Sequence, residues 1–332
     1  MLHPEWQLRF TILGAGSLGS IYGGLLAQAG HDVTLVARGD NYKALKNEGL
    51  TILTGNGSLK PTVKVVGNPR AASESDAAFV TVKARDSEQI LQDSRHLSAK
   101  AFFVSFQNAG DKDEILSRFV GASSVIGGVS VVGATLVRPG TVDYTSAGHS
   151  WVGELPRGRS ERVEKLAKVM NEANIPTTAA EDIAAIKWVK LVQFCAYAGL
   201  SSLTRLRWHQ LSQDPRLTEI YIRLVREGGA VVKAAGIEPE NHKHLIPLKK
   251  IVETRDDALI QEYAEKAKTL TKDRTRVTVS MLQDVLRRKP LEVEETIGYL
   301  INKASELGVE VPTMRTIYVL LHGLENSYLM ET

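Results

Sequence analysis

The chain has 332 residues, 43% hydrophobic and 24% charged, a composition of ordinary globular domains rather than of a disordered or fibrous protein. Its net charge of +3 comes without a long basic run, since Arg287-Arg288-Lys289 reads as cations ending a helix, so no nucleic acid is expected as a partner. The single cysteine, Cys195, excludes an internal disulfide framework and fits the reducing cytoplasm.

No uninterrupted apolar segment approaches the roughly 18 residues of a membrane helix. Residues 1–7 lack the basic and apolar regions of a signal peptide and read as a short arm. A cytoplasmic protein with no membrane partner is therefore expected. From Leu8 the chain reads as a buried strand over 8–13 that runs into Gly14-Ala15-Gly16-Ser17-Leu18-Gly19 and opens a helix over 17–29. The glycine spacing is that of a dinucleotide-binding turn. Its first glycine permits the turn, its second admits a pyrophosphate, and its third lets helix and strand pack closely. The anion would sit on the N–H groups that open the helix.

Gly30 caps that helix, and 32–37 is a second parallel strand completing a βαβ unit. An NAD site carries an acidic residue at the end of this strand, but Ala37-Arg38 occupies the place here. An arginine there suits the 2′-phosphate of NADPH, the alternative being a solvated strand-end cation. Strands follow over 62–66, over 77–82 ending in Lys83, and over 101–106 ending in Gln107-Asn108. The carboxyl ends of strands in a doubly wound sheet face the ligand, so Lys83 and Asn108 are either cofactor-pocket residues or plain loop residues. Short strands over 125–132, 141–145 and 150–152, with Pro139-Gly140 as a turn, read as the far edge of the same sheet, and a helix covers 160–174.

Near residue 180 the texture turns helical, which divides the chain into a Rossmann-type domain over 8–180, a doubly wound parallel sheet, and an all-α domain over 181–332. The helix over 181–203 is apolar on most faces, through Ile183, Ile186, Val189, Leu191, Val192, Phe194 and Leu200, and is expected to be buried. Further helices are read over 216–235, 258–269, 278–287, 293–307 and 314–328, with Asp214-Pro215, Gly236, Pro290 and Gly308 as start and stop signals. The amphipathic C-terminal helices suit a homodimer as well as a core.

Carbonyl reduction builds negative charge on oxygen as hydride arrives, so the site needs an acid or cation aimed at that oxygen. Lys190, in Trp188-Val-Lys-Leu-Val on the apolar helix, answers that description, or else it is a helix-edge lysine reaching for water. No metal site is expected.

The glycine turn, Arg38, Val82-Lys83-Ala84, Gln107-Asn108, Gly133-Ala134 with Pro139-Gly140, Trp188-Val-Lys190-Leu191, and Ser280-Met-Leu-Gln-Asp284 with Glu292 together resemble the ketopantoate reductase family over residues 8–325. The resemblance implies NADPH-dependent reduction of 2-dehydropantoate to pantoate. By it, Lys190 aligns with the general acid and Glu292 with a glutamate that contacts the cofactor and positions the lysine. Asn108 aligns with an asparagine near the nicotinamide ribose, Ala134 with a cofactor backbone contact, and Ser280 with a substrate hydrogen-bond donor. Glu292 has an alternative explanation, as a first-turn glutamate favoured by the helix dipole.

Substrate-binding asparagines of that family align here with Phe194, Ala198, Trp208 and Val277. Apolar and aromatic surface thus replaces several polar donors, which points to a paralogue accepting a less polar 2-oxo acid. Arg205, with Arg207, is either a replacement carboxylate clamp or a cation near a helix C-terminus. Reduction of another ketone or an imine, and a non-catalytic NADPH-binding module, are the rival readings.

Overall fold

A computed structural model describes residues 7–269 and 276–330. The chain falls into two compact units, one of residues up to Gln107 with Asp111–Ala184, the other of Asn108–Gly110 with the residues from Ala185 onward. The arm expected before Leu8 lies outside the described residues, Gln7 excepted.

The strands of the first unit are β1 (Arg9–Leu13), β2 (Asp32–Val36), β3 (Thr51–Thr54), β4 (Gly57–Leu59), β5 (Lys64–Val66) and β6 (Ala77–Val80). They continue as β7 (Phe102–Ser105), β8 (Val125–Ser130), β9 (Gly133–Arg138), β10 (Thr141–Ser146), β11 (Ser150–Gly153) and β12 (Thr177–Ala179). Eight form one sheet in the order β12-β11-β8-β7-β6-β1-β2-β5. From β5 to β8 all neighbours are parallel, with Ile12 facing Leu35 on one side and Phe79 on the other. That is the doubly wound order of a dinucleotide-binding sheet, with its switch point beside β1. Strands covered on both faces read as apolar runs, and Phe10, Ile12, Leu13, Ala77, Ala78, Phe79 and Val80 are accordingly buried.

The expectation of a single sheet is corrected by β9 and β10. They pair antiparallel with each other, and β10 lies parallel to β3, giving a separate four-stranded sheet β4-β3-β10-β9. Only β8 and β11 of the segment expected at the sheet edge join the large sheet, as an antiparallel pair. The physical reason is pairing rather than propensity: β3 and β4 are short, and no local pattern announces that a strand near residue 52 will pair with one near 142.

The helices of this unit are α1 (Ser17–Gln28), α2 (Gly39–Glu48), α3 (Ser87–Asp93), α4 (Lys112–Val120) and α5 (Glu161–Glu172). Between α1 and β2, His31 is buried, its Nδ1 accepting the N–H of Leu8 at 3.2 Å and its ring edge-on to Phe10. Burial lowers its pKa below the ordinary histidine value of about 6.5, against a smaller opposing pull from Glu172. The unfolded chain therefore binds a proton more readily, so this contribution to stability is present above about pH 6.5 and is lost as pH falls below it. Lowering the pH from 7.5 to 5.5 should depress Tm, and His31→Asn should make that drop smaller by about 2 °C. An unaltered drop in the variant would remove His31 as the source.

The helices of the second unit are α6 (Ile183–Thr204), α7 (Trp208–Leu211), α8 (Pro215–Ala234), α9 (Leu248–Glu253), α10 (Asp256–Lys268), α11 (Ser280–Leu286), α12 (Tyr299–Glu306) and α13 (Pro312–Met330). α6 begins in the first unit and enters the second at Ala185. It is long and apolar enough to cross a membrane by length and composition, but 67% of its most apolar window is buried inside the protein. Val189, Val192, Cys195, Ala196 and Leu200 lie in a core shared with α8, α9, α11, α12 and α13. Asp214 accepts the N–H groups of Arg216 and Leu217 before Pro215 opens α8, the start chemistry the sequence announces. Among the described residues the segment before α12 departs from the expected single helix over 293–307. It begins as a π turn, Glu294–Gly298, in which the Gly298 N–H bonds the Val293 carbonyl at 2.9 Å.

Candidate functional site

The first unit carries the dinucleotide features. Gly14 has φ +112°, and a Cβ there would lie 2.7 Å from Val82 Cγ1 and 2.8 Å from the Val82 nitrogen. A Cβ on Gly19 would lie 2.1 Å from the Gly14 carbonyl oxygen, so the third glycine is demanded by the close turn itself. At Gly16 a Cβ would meet nothing within 4 Å, and this is the face on which a pyrophosphate needs room. Gly16 is also the N-cap of α1, which has no side-chain cap and no acidic residue in its first turn, so no carboxylate competes for an anion there.

Neighbouring side chains hold the turn. The Thr81 hydroxyl donates to the Gly14 carbonyl at 2.7 Å, and Asn41 Nδ2 donates to the Ala15 carbonyl at 2.6 Å while its Oδ1 accepts the Gly140 N–H at 2.8 Å. Ser17 Oγ accepts the N–H of Leu136 in β9 at 2.9 Å, Ala15 is buried, and half-buried Leu18 packs on the sheet core. Thr81 and Asn41 were not foreseen in the sequence, since neither belongs to the glycine motif. Ala134 lies in β9 opposite Tyr144 and is half-buried.

Arg38 follows β2 with its side chain 80% exposed, and its guanidinium lies 2.7 Å from Asp86 Oδ2. Asp86 ends a short 3₁₀ turn, Ala84–Asp86, whose N-cap is the half-buried Lys83 after β6. The carboxyl ends of β2 and β6 thus carry two cations and one carboxylate, a set suited to a phosphate-bearing ribose. Two further residues brace this end of the sheet. Gln107 donates to the Val82 carbonyl at 2.9 Å and to Ser87 Oγ at 2.7 Å, and the buried Lys112 donates to the carbonyls of Ser105 and Gly128 at 2.5 and 2.6 Å. Lys112 escaped sequence reading because a buried lysine is legible only once carbonyls converge on it.

The second unit gathers the reductive candidates. Lys190 is half-buried on α6, and its Nζ bonds Asn108 Oδ1 closely while lying 4.6 Å from the centre of the Phe194 ring, one turn along. Asn108 Nδ2 donates to Ser280 Oγ at 3.4 Å. Ser280 is the first residue of α11, two residues later than the start expected from the sequence. The ammonium therefore faces the carbonyl end of one amide and the face of one ring, and the other end of that amide meets a hydroxyl. Lys190, Asn108, Ser280 and Phe194 are brought together.

The remaining calls are placed elsewhere in this unit. Ala198 is wholly buried in the helical core. Trp208 is half-buried among Tyr197, Tyr221 and Tyr263, at centroid distances of 5.7, 4.7 and 5.6 Å, and its main-chain N–H donates to the Tyr197 hydroxyl at 3.1 Å. Arg205 is exposed at φ +59° just after α6, Arg207 is exposed before α7, and Val277 is half-buried. Glu292 is buried, with 5% exposure, and its carbonyl accepts the Thr296 hydroxyl. It lies two residues ahead of the π turn, just before the helix start. The lone thiol, Cys195, is buried in the core, and burial pushes its pKa well up, which leaves it chemically quiet.

Residues 10–157 match the family model described as ketopantoate reductase PanE/ApbA, and residues 182–325 match that of its C-terminal domain. A 2-dehydropantoate 2-reductase from Archaeoglobus fulgidus is 31% identical over 318 residues, covering 96% of this chain and 98% of that one. Among solved structures, a PanE/ApbA family ketopantoate reductase from Ralstonia eutropha superposes with a TM-score of 0.80 at 24% identity over 97% of this chain and all of that one. D-mandelate dehydrogenase with NADH and anilino(oxo)acetate gives a TM-score of 0.84 at 20% identity, over 97% of this chain and 99% of the other.

Proposed function

The chain belongs to the ketopantoate reductase family, and from that premise we propose that it reduces a 2-oxo acid with NADPH, using Lys190 as the general acid. The observation that carries this reading is the chain of contacts from Lys190 through Asn108 to Ser280. NADPH, when bound, supplies the hydride that the carbonyl carbon receives. The glycine turn Gly14–Gly19 would hold its pyrophosphate, Arg38 and Lys83 its 2′-phosphate side, and Asn108, Ala134 and Glu292 its nicotinamide side.

Lys190 Nζ holds the proton that the carbonyl oxygen takes up as it becomes a hydroxyl. Asn108 Oδ1 accepts from that ammonium and so fixes its direction. Ser280 Oγ bonds the substrate without adding charge. The electrostatic demand is met by a single cation whose position is set beforehand, which is the arrangement that stabilises a developing alkoxide most effectively.

Phe194 decides the substrate class. Its ring lies under the ammonium, where it supports the charged form of the lysine and offers apolar surface in place of a polar donor. The preferred substrate is accordingly less polar than 2-dehydropantoate, with Trp208 and Arg205 as more distant contributors to the choice. Steady-state rates with 2-dehydropantoate beside simple aliphatic and aromatic 2-oxo acids test this. We expect kcat/KM to favour a less polar acid by about tenfold or more, and Phe194→Asn to shift the ratio towards 2-dehydropantoate by about the same factor. Preference for 2-dehydropantoate in the wild type would overturn the substrate class, and tight NADPH binding without turnover of any oxo acid would leave a binding module instead.

A further inference from the structure

The helical unit secures the Glu292 segment with tethers that the proposed mechanism does not use. α13 carries Tyr318, His322 and Glu325 at successive spacings of four and three, which puts them on one helix face. The Tyr318 hydroxyl donates to Glu294 Oε1 at 2.7 Å, and Glu325 Oε1 accepts the Leu291 N–H at 2.7 Å. His322 Nε2 lies 2.9 Å from Glu294 Oε1 without the alignment of a hydrogen bond. The two tethered residues, Leu291 and Glu294, flank Glu292. α13 is itself anchored at its start, where the Glu227 carboxylate of α8 accepts the N–H groups of Thr313 and Met314 at 2.9 and 2.8 Å.

The same π turn holds the Asn108 loop. The carbonyl of Glu295 accepts the Gly110 N–H at 2.9 Å, and Gly110 lies so close to the Tyr299 ring that a Cβ would come within 2.1 Å of it. Gly110 is two residues from Asn108, the partner of Lys190. One wide turn therefore fixes two of the groups assigned to the reaction. π turns recur where a backbone must be held off the regular helical path.

We infer that α13, through Tyr318 and Glu325, positions Glu292 and the Asn108 loop as one piece, so that both side chains are positioning residues for the reaction. The inference rests on the roles given above to Glu292 and Lys190. The competing account is that these tethers only stabilise helix packing. It predicts a lower Tm with no change in the kinetics of the folded enzyme.

The test measures kcat, KM for the best oxo acid, the Kd of NADPH by fluorescence titration, and Tm for Tyr318→Phe, Glu325→Ala and Glu325→Gln, each alone and combined with Glu292→Gln. Tyr318→Phe and Glu325→Ala should each lower kcat about tenfold and weaken NADPH binding several-fold, whereas Glu325→Gln, which keeps an acceptor oxygen, should stay within about twofold of wild type. On the Glu292→Gln background each should cost less than it does in the wild type, because one of the two groups they position is already disabled while the Asn108 loop is not. Kinetics and NADPH Kd within about twofold of wild type with only Tm lowered, or losses that add in full to that of Glu292→Gln, would overturn the inference. If Glu292→Gln alone leaves both kcat and NADPH binding unchanged, the role given to Glu292 fails first and the inference falls with it.

Discussion

Replacing Lys190 by alanine should lower kcat by about three orders of magnitude while the Kd of NADPH stays within about twofold of wild type. The reason lies in when the lysine is needed. In the ground state the carbonyl oxygen carries only a partial charge, and the ammonium adds little to binding. As hydride reaches the carbon, the oxygen becomes an alkoxide, and an aimed donor is then worth far more than in water. In the proposed role, Lys190 is already held by Asn108 Oδ1 and by the Phe194 ring, so its direction would cost no reorganisation. Lys190→Arg keeps the charge but spreads it over a planar fork that no longer fits one amide oxygen and one ring, and recovery should be partial at most. A kcat within about threefold of wild type in Lys190→Ala would remove the lysine from the chemistry. A parallel loss of NADPH affinity would move it to cofactor binding instead.

The parts of this site that were legible in the sequence are those whose physics is local. The glycine turn requires small residues at Gly14 and Gly19 because a backbone oxygen and a neighbouring strand lie where a Cβ would go, and that requirement is written at fixed spacing. Lys190 and Phe194 are four residues apart on a helix, so their meeting follows from helical periodicity. The pairing of Lys190 with Asn108 spans 82 residues and the bond of Asn108 to Ser280 spans 172, and no periodicity reaches that far. Only the family resemblance placed those residues on one list. The second sheet was illegible for the same reason, since β3 and β10 meet only after the chain has crossed most of the first unit. The π turn is hidden within a helical pattern because such a pattern does not announce a one-residue change in bonding register. Ala198 shows a different limit. Aligned position alone makes it a substrate residue, yet its side chain is wholly buried, and burial is a property of neighbours rather than of the residue itself.

Arg38→Ala should reduce the preference for NADPH over NADH by about thirtyfold, almost entirely through KM for NADPH, with KM for NADH nearly unchanged. The two cofactors differ only in the 2′-phosphate, so a residue that reads the phosphate must act on one and spare the other. In the structure the Arg38 guanidinium is mostly exposed and pairs with Asp86. An exposed pair of this kind contributes little to stability, so exchanging the carboxylate for a dianionic phosphate is favourable and should leave Tm close to wild type. Arg38→Lys retains a charge without the bidentate fork and should fall between the two. Asp86→Asn removes the competing carboxylate and should tighten NADPH binding modestly, and raising the salt concentration should erode the NADPH preference of the wild type but not of Arg38→Ala. Equal use of both cofactors by the wild type, or a loss in Arg38→Ala that affects NADH as much as NADPH, would take the phosphate-reading role away from Arg38. The combination expected here, a salt-sensitive preference that vanishes with one exposed guanidinium, separates direct phosphate recognition from a general disturbance of the glycine turn, which would weaken both cofactors together.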